Sequence, residues 1–194
     1  MSTSRALPVL RPPDRQALHD TARLLLDFTE PWGRVSVDCH ALGMTSAEAR
    51  QVLEAFPGSW VSPSDRTHPE SSAEVRALFE TGDPRVDELA PFDVDVFERP
   101  PGSVEERFLG IVGSGPAALY WGGFAWPAVP ELDLKPRAKD AHLQIVLNSR
   151  NADFDRPSED HTLFIHFRSG DLERAEWLAR QAGLTPVGPD ESGC

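Results

Sequence analysis

Six histidines stand along the chain, at positions 19, 40, 68, 142, 161 and 166. Three of them fall in segments where apolar residues recur every second position. Val35, Val37 and Cys39 frame the first segment, Leu143, Ile145 and Leu147 the second, and Leu163, Ile165 and Phe167 the third. Successive side chains of a strand point to opposite faces. His40, His142 and His166 are therefore expected on the face turned away from the core, with Asp38, Gln144, Asn148 and Arg168. Imidazole binds metals and exchanges protons near neutral pH, and an arginine adds an anion-binding group. Asp38, His40, His142, Gln144, His166 and Arg168 thus form one candidate site, for a small molecule or for a metal-dependent reaction. The simpler reading comes first, because an antiparallel sheet commonly leaves one face to water. Neither H-E-x-x-H nor C-x-x-C occurs, so no recognised zinc signature is present.

Other reactive patterns are thin. Gly113, Gly115 and Ala118 fit the spacing G-x-G-x-x-G/A, which resembles the flavin or nicotinamide fingerprint over about ten residues. That fingerprint needs a helix directly after the glycines, to set its N-terminus against a pyrophosphate. Gly122-Gly123 and Pro127 oppose such a helix, so residues 113–116 are read as a hairpin connection and no cofactor is expected. Asp93 and Asp95 form a D-x-D, with Glu98 beyond, but no phosphate-cradling loop accompanies it. Cys39 alternates with the core valines and reads as a buried small hydrophobe; Cys194 has no partner group in sequence. No G-x-S-x-G elbow and no P-loop occurs.

Charge is more informative. The 194 residues carry a formal charge of −12, from 19 Lys plus Arg and 31 Asp plus Glu. Between Glu80 and Glu98, seven carboxylates face Arg85 alone, which leaves −6 in that segment. An acidic chain repels nucleic acid and anionic membranes and attracts basic proteins. Asp83, Asp87, Glu88, Asp93, Asp95 and Glu98 are therefore candidate partner-binding residues. Trp121 and Trp126, in the aromatic run Tyr120–Trp126, read first as core; if exposed beside the acidic loops they are candidate anchors, since tryptophan dominates binding hot spots. The leading expectation is an acidic binding module of inhibitor or immunity type. It would neutralise a basic partner such as a toxin domain by occlusion, with no catalytic residues, no nucleic acid and no membrane involved.

The elements that must carry these groups follow from pattern. Apolar residues at 40% and charged residues at 26% are near the globular norm, and no run approaches the ~20 apolar residues that cross a bilayer. Residues 1–13 lack an apolar core, so no secretory signal is expected, and two cysteines suit a cytoplasmic setting. Residues 1–12 read as a flexible arm and 13–190 as one α+β domain, with a break near 83–104. Thr45 with Glu48 and Ser71 with Glu74 are capping boxes that open amphipathic helices. A first helix over 14–28, ended by Pro31, and a last over 171–182 are expected. Strands are expected at 35–40, 60–61, 93–97, 107–112, 117–122, 142–148, 161–168 and 185–187. The residues 35–61 and 163–187 echo one another as strand, helix, short strand. The expected fold is a mainly antiparallel sheet with helices on one face, built in part from two strand–helix–strand units.

Overall fold

The structure, a computed structural model, describes residues 4–193. Among these, eight strands form one antiparallel sheet: β1 (Ser4–Leu10), β2 (Glu30–Met44), β3 (Trp60–Pro63), β4 (Phe92–Arg99), β5 (Ala117–Ala125), β6 (His142–Leu147), β7 (Thr162–Arg168) and β8 (Glu191–Ser192). Six helices intervene: α1 (Arg15–Leu26), α2 (Ser46–Ala55), α3 (Ser72–Thr81), α4 (Arg85–Leu89), α5 (Glu105–Ile111) and α6 (Leu172–Gln181). The strand order is β3-β4-β2-β5-β6-β7-β1-β8. The fold is α+β.

The helices share one face of the sheet. Leu18 and Leu25 of α1, Val52 of α2, Val75 of α3, Phe108 of α5 and Leu178 of α6 join Val37, Leu119, Leu143 and Ile165 in a single core. On the opposite face the buried apolar residues form a small cluster: Ala6, Ala118, Val146 and Phe164, covered by Ala152 from the loop after β6. That asymmetry matches the period-two pattern, in which one strand face is continuously apolar and the other carries the polar groups.

The two strand–helix–strand units are present and sit at opposite ends of the sheet. β2 and β3 both pair antiparallel with β4, so α2 joins two mutually parallel strands across an intervening third. β7 and β8 both flank β1 in the same way, joined by α6. The last strand lies at Glu191–Ser192 rather than over 185–187, although Val187 N–H donates to Pro8 O.

Helix ends follow local chemistry. Both capping boxes form, and Gly82 closes α3 with φ 67°, a left-handed conformation that suits glycine. Thr45→Ala removes the hydroxyl that accepts from Glu48 N–H and is expected to lower stability by about 1 kcal/mol in urea denaturation. No loss would mean that Glu48 alone suffices to cap α2. Asp14 caps α1 by accepting from Gln16 N–H. The helix ends at Leu26, and Pro31 lies inside β2, paired with Phe124.

Two further segments depart from expectation. Residues 4–10, expected as part of a flexible arm, are the buried strand β1 between β7 and β8. Its neighbours on both faces hide Ala6, Leu7, Pro8 and Val9, so the strand lacks the alternation that marks a half-exposed one. Residues 1–3 of that arm and Cys194 lie outside the described residues. Residues 107–112, expected as a strand, form most of α5 and its C-cap, and Val104, Phe108 and Val112 recur every fourth position and bury together. The expected hairpin at 113–116 is therefore a helix-to-strand connection. Its glycines precede a strand, the reverse of a dinucleotide fingerprint. Their carbonyls are held by side chains: Arg15 Nη2 donates to Gly113 O at 2.6 Å, and Asn148 Nδ2 to Gly115 O at 2.6 Å. A Cβ at Gly115 would meet Leu42 O at 2.8 Å, so the glycine permits close backbone approach.

Candidate functional site

Register places the polar groups of the open face in rows across the sheet. Trp60, Asp95, His40, Ala118, Val146 and Thr162 pair in turn from β3 to β7. In the next row Asp38 of β2 faces Tyr120 of β5, which faces Gln144 of β6 and then Phe164 of β7. Beyond them His142 pairs with His166. The loop after β6 folds back over this face. Its Ala152 N–H donates to Glu191 Oε1 at 2.6 Å, and its Phe154 walls a cleft of about 460 Å³ lined by Asp38, His40, Tyr120, His142 and Phe154.

His40 is the best oriented group in the cleft. Its Nδ1 lies 2.7 Å from Asp95 Oδ1, so Nδ1 carries the proton that Asp95 accepts. Nε2 has no bonded partner among the described residues. Rings surround it: Tyr120 at 5.4 Å, Phe97 at 5.7 Å and Phe154 at 6.4 Å between centroids. Asp38 Oδ1 accepts from Glu98 N–H, which leaves Oδ2 without a bond among the described residues. Burial pushes the His142 imidazole below its ordinary value, against the pull of Asp140 and Asp38. His142 packs on Gly122, where a Cβ would meet its Cδ2 at 3.0 Å.

Under the cleft floor a buried relay sets the rotamers. Gln144 Nε2 donates to Tyr120 Oη at 2.6 Å and to Ala152 O at 2.7 Å. Both amide protons are thereby spent, and Oε1 must accept from His166 Nε2 at 2.7 Å. Burial, with a smaller contribution from His142, pushes His166 down to about 3, so it is neutral with its proton on Nε2. Its Nδ1 is buried without a hydrogen bond.

The residues expected from sequence are redistributed. Asp38, His40 and His142 do converge. Gln144 and His166 lie on the same face but wholly buried, as support rather than as ligand groups. Arg168, at the far end of β7, does not line the cleft. The acidic set divides. Asp93, Asp95 and Glu98 are on or beside the open face, with Asp93 accepting from Ser64 Oγ at 2.6 Å and from Gly43 N–H at 3.1 Å. Asp83, Asp87 and Glu88 lie at or in α4, in the helix layer, where Asp83 pairs with Arg85 at 2.8 Å. The reading of Trp121 and Trp126 as surface anchors is corrected: each is 1% exposed. Trp121 Nε1 donates to the buried Glu105 Oε1 at 3.1 Å and Trp126 Nε1 to His166 O at 2.7 Å. Both indoles are structural. The aromatic rings open to solvent are Trp32, Trp60 and Phe97, at 73%, 52% and 49% exposure.

The part of the site that sequence reasoning missed is aromatic. Tyr120 shares Ala118's face by period two, and that signal was available. Phe154 is in an irregular loop, with φ 40°, and no periodicity marks it. Among the described residues no group of three or more His, Cys, Asp or Glu is placed to share a metal ion. A larger hollow, about 720 Å³, lies between α1 and residues 101–107. Its mixed charges, Arg23 and Arg107 with Asp27 and Glu106, do not converge on one chemistry, and Glu105 is committed to Trp121. The cleft on the open face is the better candidate. No described helix is long and apolar enough to cross a membrane. Comparison with known protein families, with curated proteins and with solved structures finds no match for this chain.

Proposed function

We propose that this protein is an acidic binding module that engages a basic protein partner on its open sheet face. The mode is occlusion, as in an inhibitor or immunity-type protein that neutralises a toxin domain. One observation carries the reading: the helix-free face places Asp38, Asp95 and Glu98 beside half-exposed aromatic rings, Phe97 and Trp60, around a preformed cleft. Carboxylates steer a Lys/Arg-rich surface inward, and aromatic area holds it once water is excluded. On this reading the tryptophan anchor is Trp60, since Trp121 and Trp126 are buried.

The test uses an arginine-rich peptide and its citrulline counterpart, with association followed at low and high salt. Saturable binding of the arginine peptide, with an on-rate that falls as salt rises, is the expected result. Hydrogen exchange should show protection over β4, β2, β5 and the loop 148–160. Protection confined to α4, or equal binding of both peptides, would overturn the reading.

A second reading rests on the His40–Asp95 pair. A carboxylate-oriented imidazole with an open Nε2 is also the arrangement of a general base. A small-molecule substrate in the cleft would then be the ligand. Turnover lost on His40→Gln but retained on Trp60→Ala would favour this reading over protein capture.

A further inference from the structure

The cleft has a chemistry more specific than negative charge, and from it we infer that the open face takes one arginine side chain of the partner, its guanidinium seated between Phe154 and Tyr120 against Asp38. This inference deepens the proposed binding function and rests on it.

Three observations point to a planar cation. First, the lining combines one carboxylate oxygen without a partner, Asp38 Oδ2, with two aromatic walls and two imidazoles. A carboxylate between aromatic faces favours cations, and a weakly hydrated planar cation most, since it stacks on rings while it donates at its edge. Second, a guanidinium brings five N–H donors and so needs several acceptors in one plane. In the neutral imidazole His40 Nε2 is an acceptor, because Nδ1–H is committed to Asp95, and Asp38 Oδ2 is another. An ammonium has three donors in a tetrahedral array and would leave one wall unused. Third, the receptor is held in shape before binding. Gln144 fixes Tyr120 from below, the Asp95 contact fixes His40, and the Glu98 N–H fixes Asp38. Preorganised groups lose little freedom when a ligand arrives. Two residues at this site, Glu98 and Phe154, hold positive φ of 52° and 40°, an uncommon conformation for non-glycine residues. The volume of about 460 Å³ admits a guanidinium with its aliphatic stem.

The experiment titrates the full-length protein with three short glycine-flanked peptides that carry a single arginine, lysine or citrulline, following the His40 and His142 imidazole resonances by NMR. The arginine peptide should shift both resonances saturably. Citrulline, equal in shape but uncharged, should bind at least about tenfold more weakly, and lysine more weakly than arginine. Asp38→Asn retains the acceptor for Glu98 N–H, and it should weaken the arginine peptide by about tenfold while leaving citrulline unchanged. Phe154→Leu keeps an apolar side chain in the loop and should also weaken arginine, which guards against a folding artefact in the first variant. Equal binding of arginine and citrulline, or no response to either substitution, would overturn the inference. If arginine-rich polypeptides still bind with salt-sensitive rates while Asp38→Asn changes nothing, the guanidinium seat fails and the docking face survives. If no basic polypeptide binds at all, both fail.

Discussion

Arg174→Met is expected to lower the unfolding free energy by about 3–5 kcal/mol, the range for breaking a buried charge network from one side. Arg174 is on α6 at 1% exposure, with its guanidinium donating to Pro127 O and to Lys135 O. Those carbonyls belong to an irregular segment between β5 and β6, which also forms two short bridges, Trp126 with Arg137 and Val129 with Leu134, and accepts from Trp177 Nε1 at Glu131. Removing the guanidinium orphans both acceptors and leaves Asp171, 3.6 Å from Arg174 Nε, with Arg137 at 3.3 Å as its remaining cation. Methionine keeps most of the stem volume, so the loss reads the polar contacts rather than a cavity. Arg174→Lys should not restore stability, since a single ammonium does not reach both carbonyls in the fork geometry of a guanidinium. Urea unfolding at neutral pH measures the difference. A loss below about 1 kcal/mol would show that the segment rehydrates freely and that Arg174 does not clamp it.

Acid should destabilise the protein well before its carboxylates titrate, and His166 should be the largest single cause. The folded protein holds this imidazole neutral down to about 3, against an ordinary histidine value of 6.5. Within that window the unfolded chain binds a proton that the folded chain refuses. Stability therefore rises with pH across it and is lost as pH falls, at about 1.4 kcal/mol per pH unit for one group. Below the folded value the loss levels off. His142 and His161 are lowered in the same direction by burial, so they add to the slope with the same sign. The check is a series of urea unfolding curves from neutral pH down to about 4 for the wild type and for His166→Gln. The variant should lose about one proton's worth of slope, whatever its stability at neutral pH. An unchanged slope would mean that His166 binds a proton in the native state as readily as in the unfolded chain, and that burial does not hold it neutral.

Much of this architecture was legible in short-range pattern. Val35 to Cys39, Leu143 to Leu147 and Leu163 to Phe167 alternate because one face of their strands packs under helices and the other does not. The capping boxes at Thr45 and Ser71 are contained in four residues each, so nothing distant is needed to form them. The same alternation assigned Asp38, His40 and His142 to a common face. The signal failed wherever burial came from both sides. β1 carries apolar residues at consecutive positions and a proline, and reads as loop until its neighbours β7 and β8 are known. α5 is only two turns long, and its four-residue period is hidden among residues that suit a strand equally well.

Hydrophobic spacing, turn residues and charge count thus specified an acidic α+β chain with one polar sheet face, because those properties depend on neighbours within about two helical turns. Which of the polar groups meet depended on strand order, which joins residues as far apart as His40 and Asp95 or Trp126 and His166. Burial also divided the aromatic residues through contacts distant in sequence, placing Trp121 against Glu105 in the core and leaving Phe97 beside His40 at the cleft. Side-chain chemistry is local, whereas convergence depends on the register of the whole sheet.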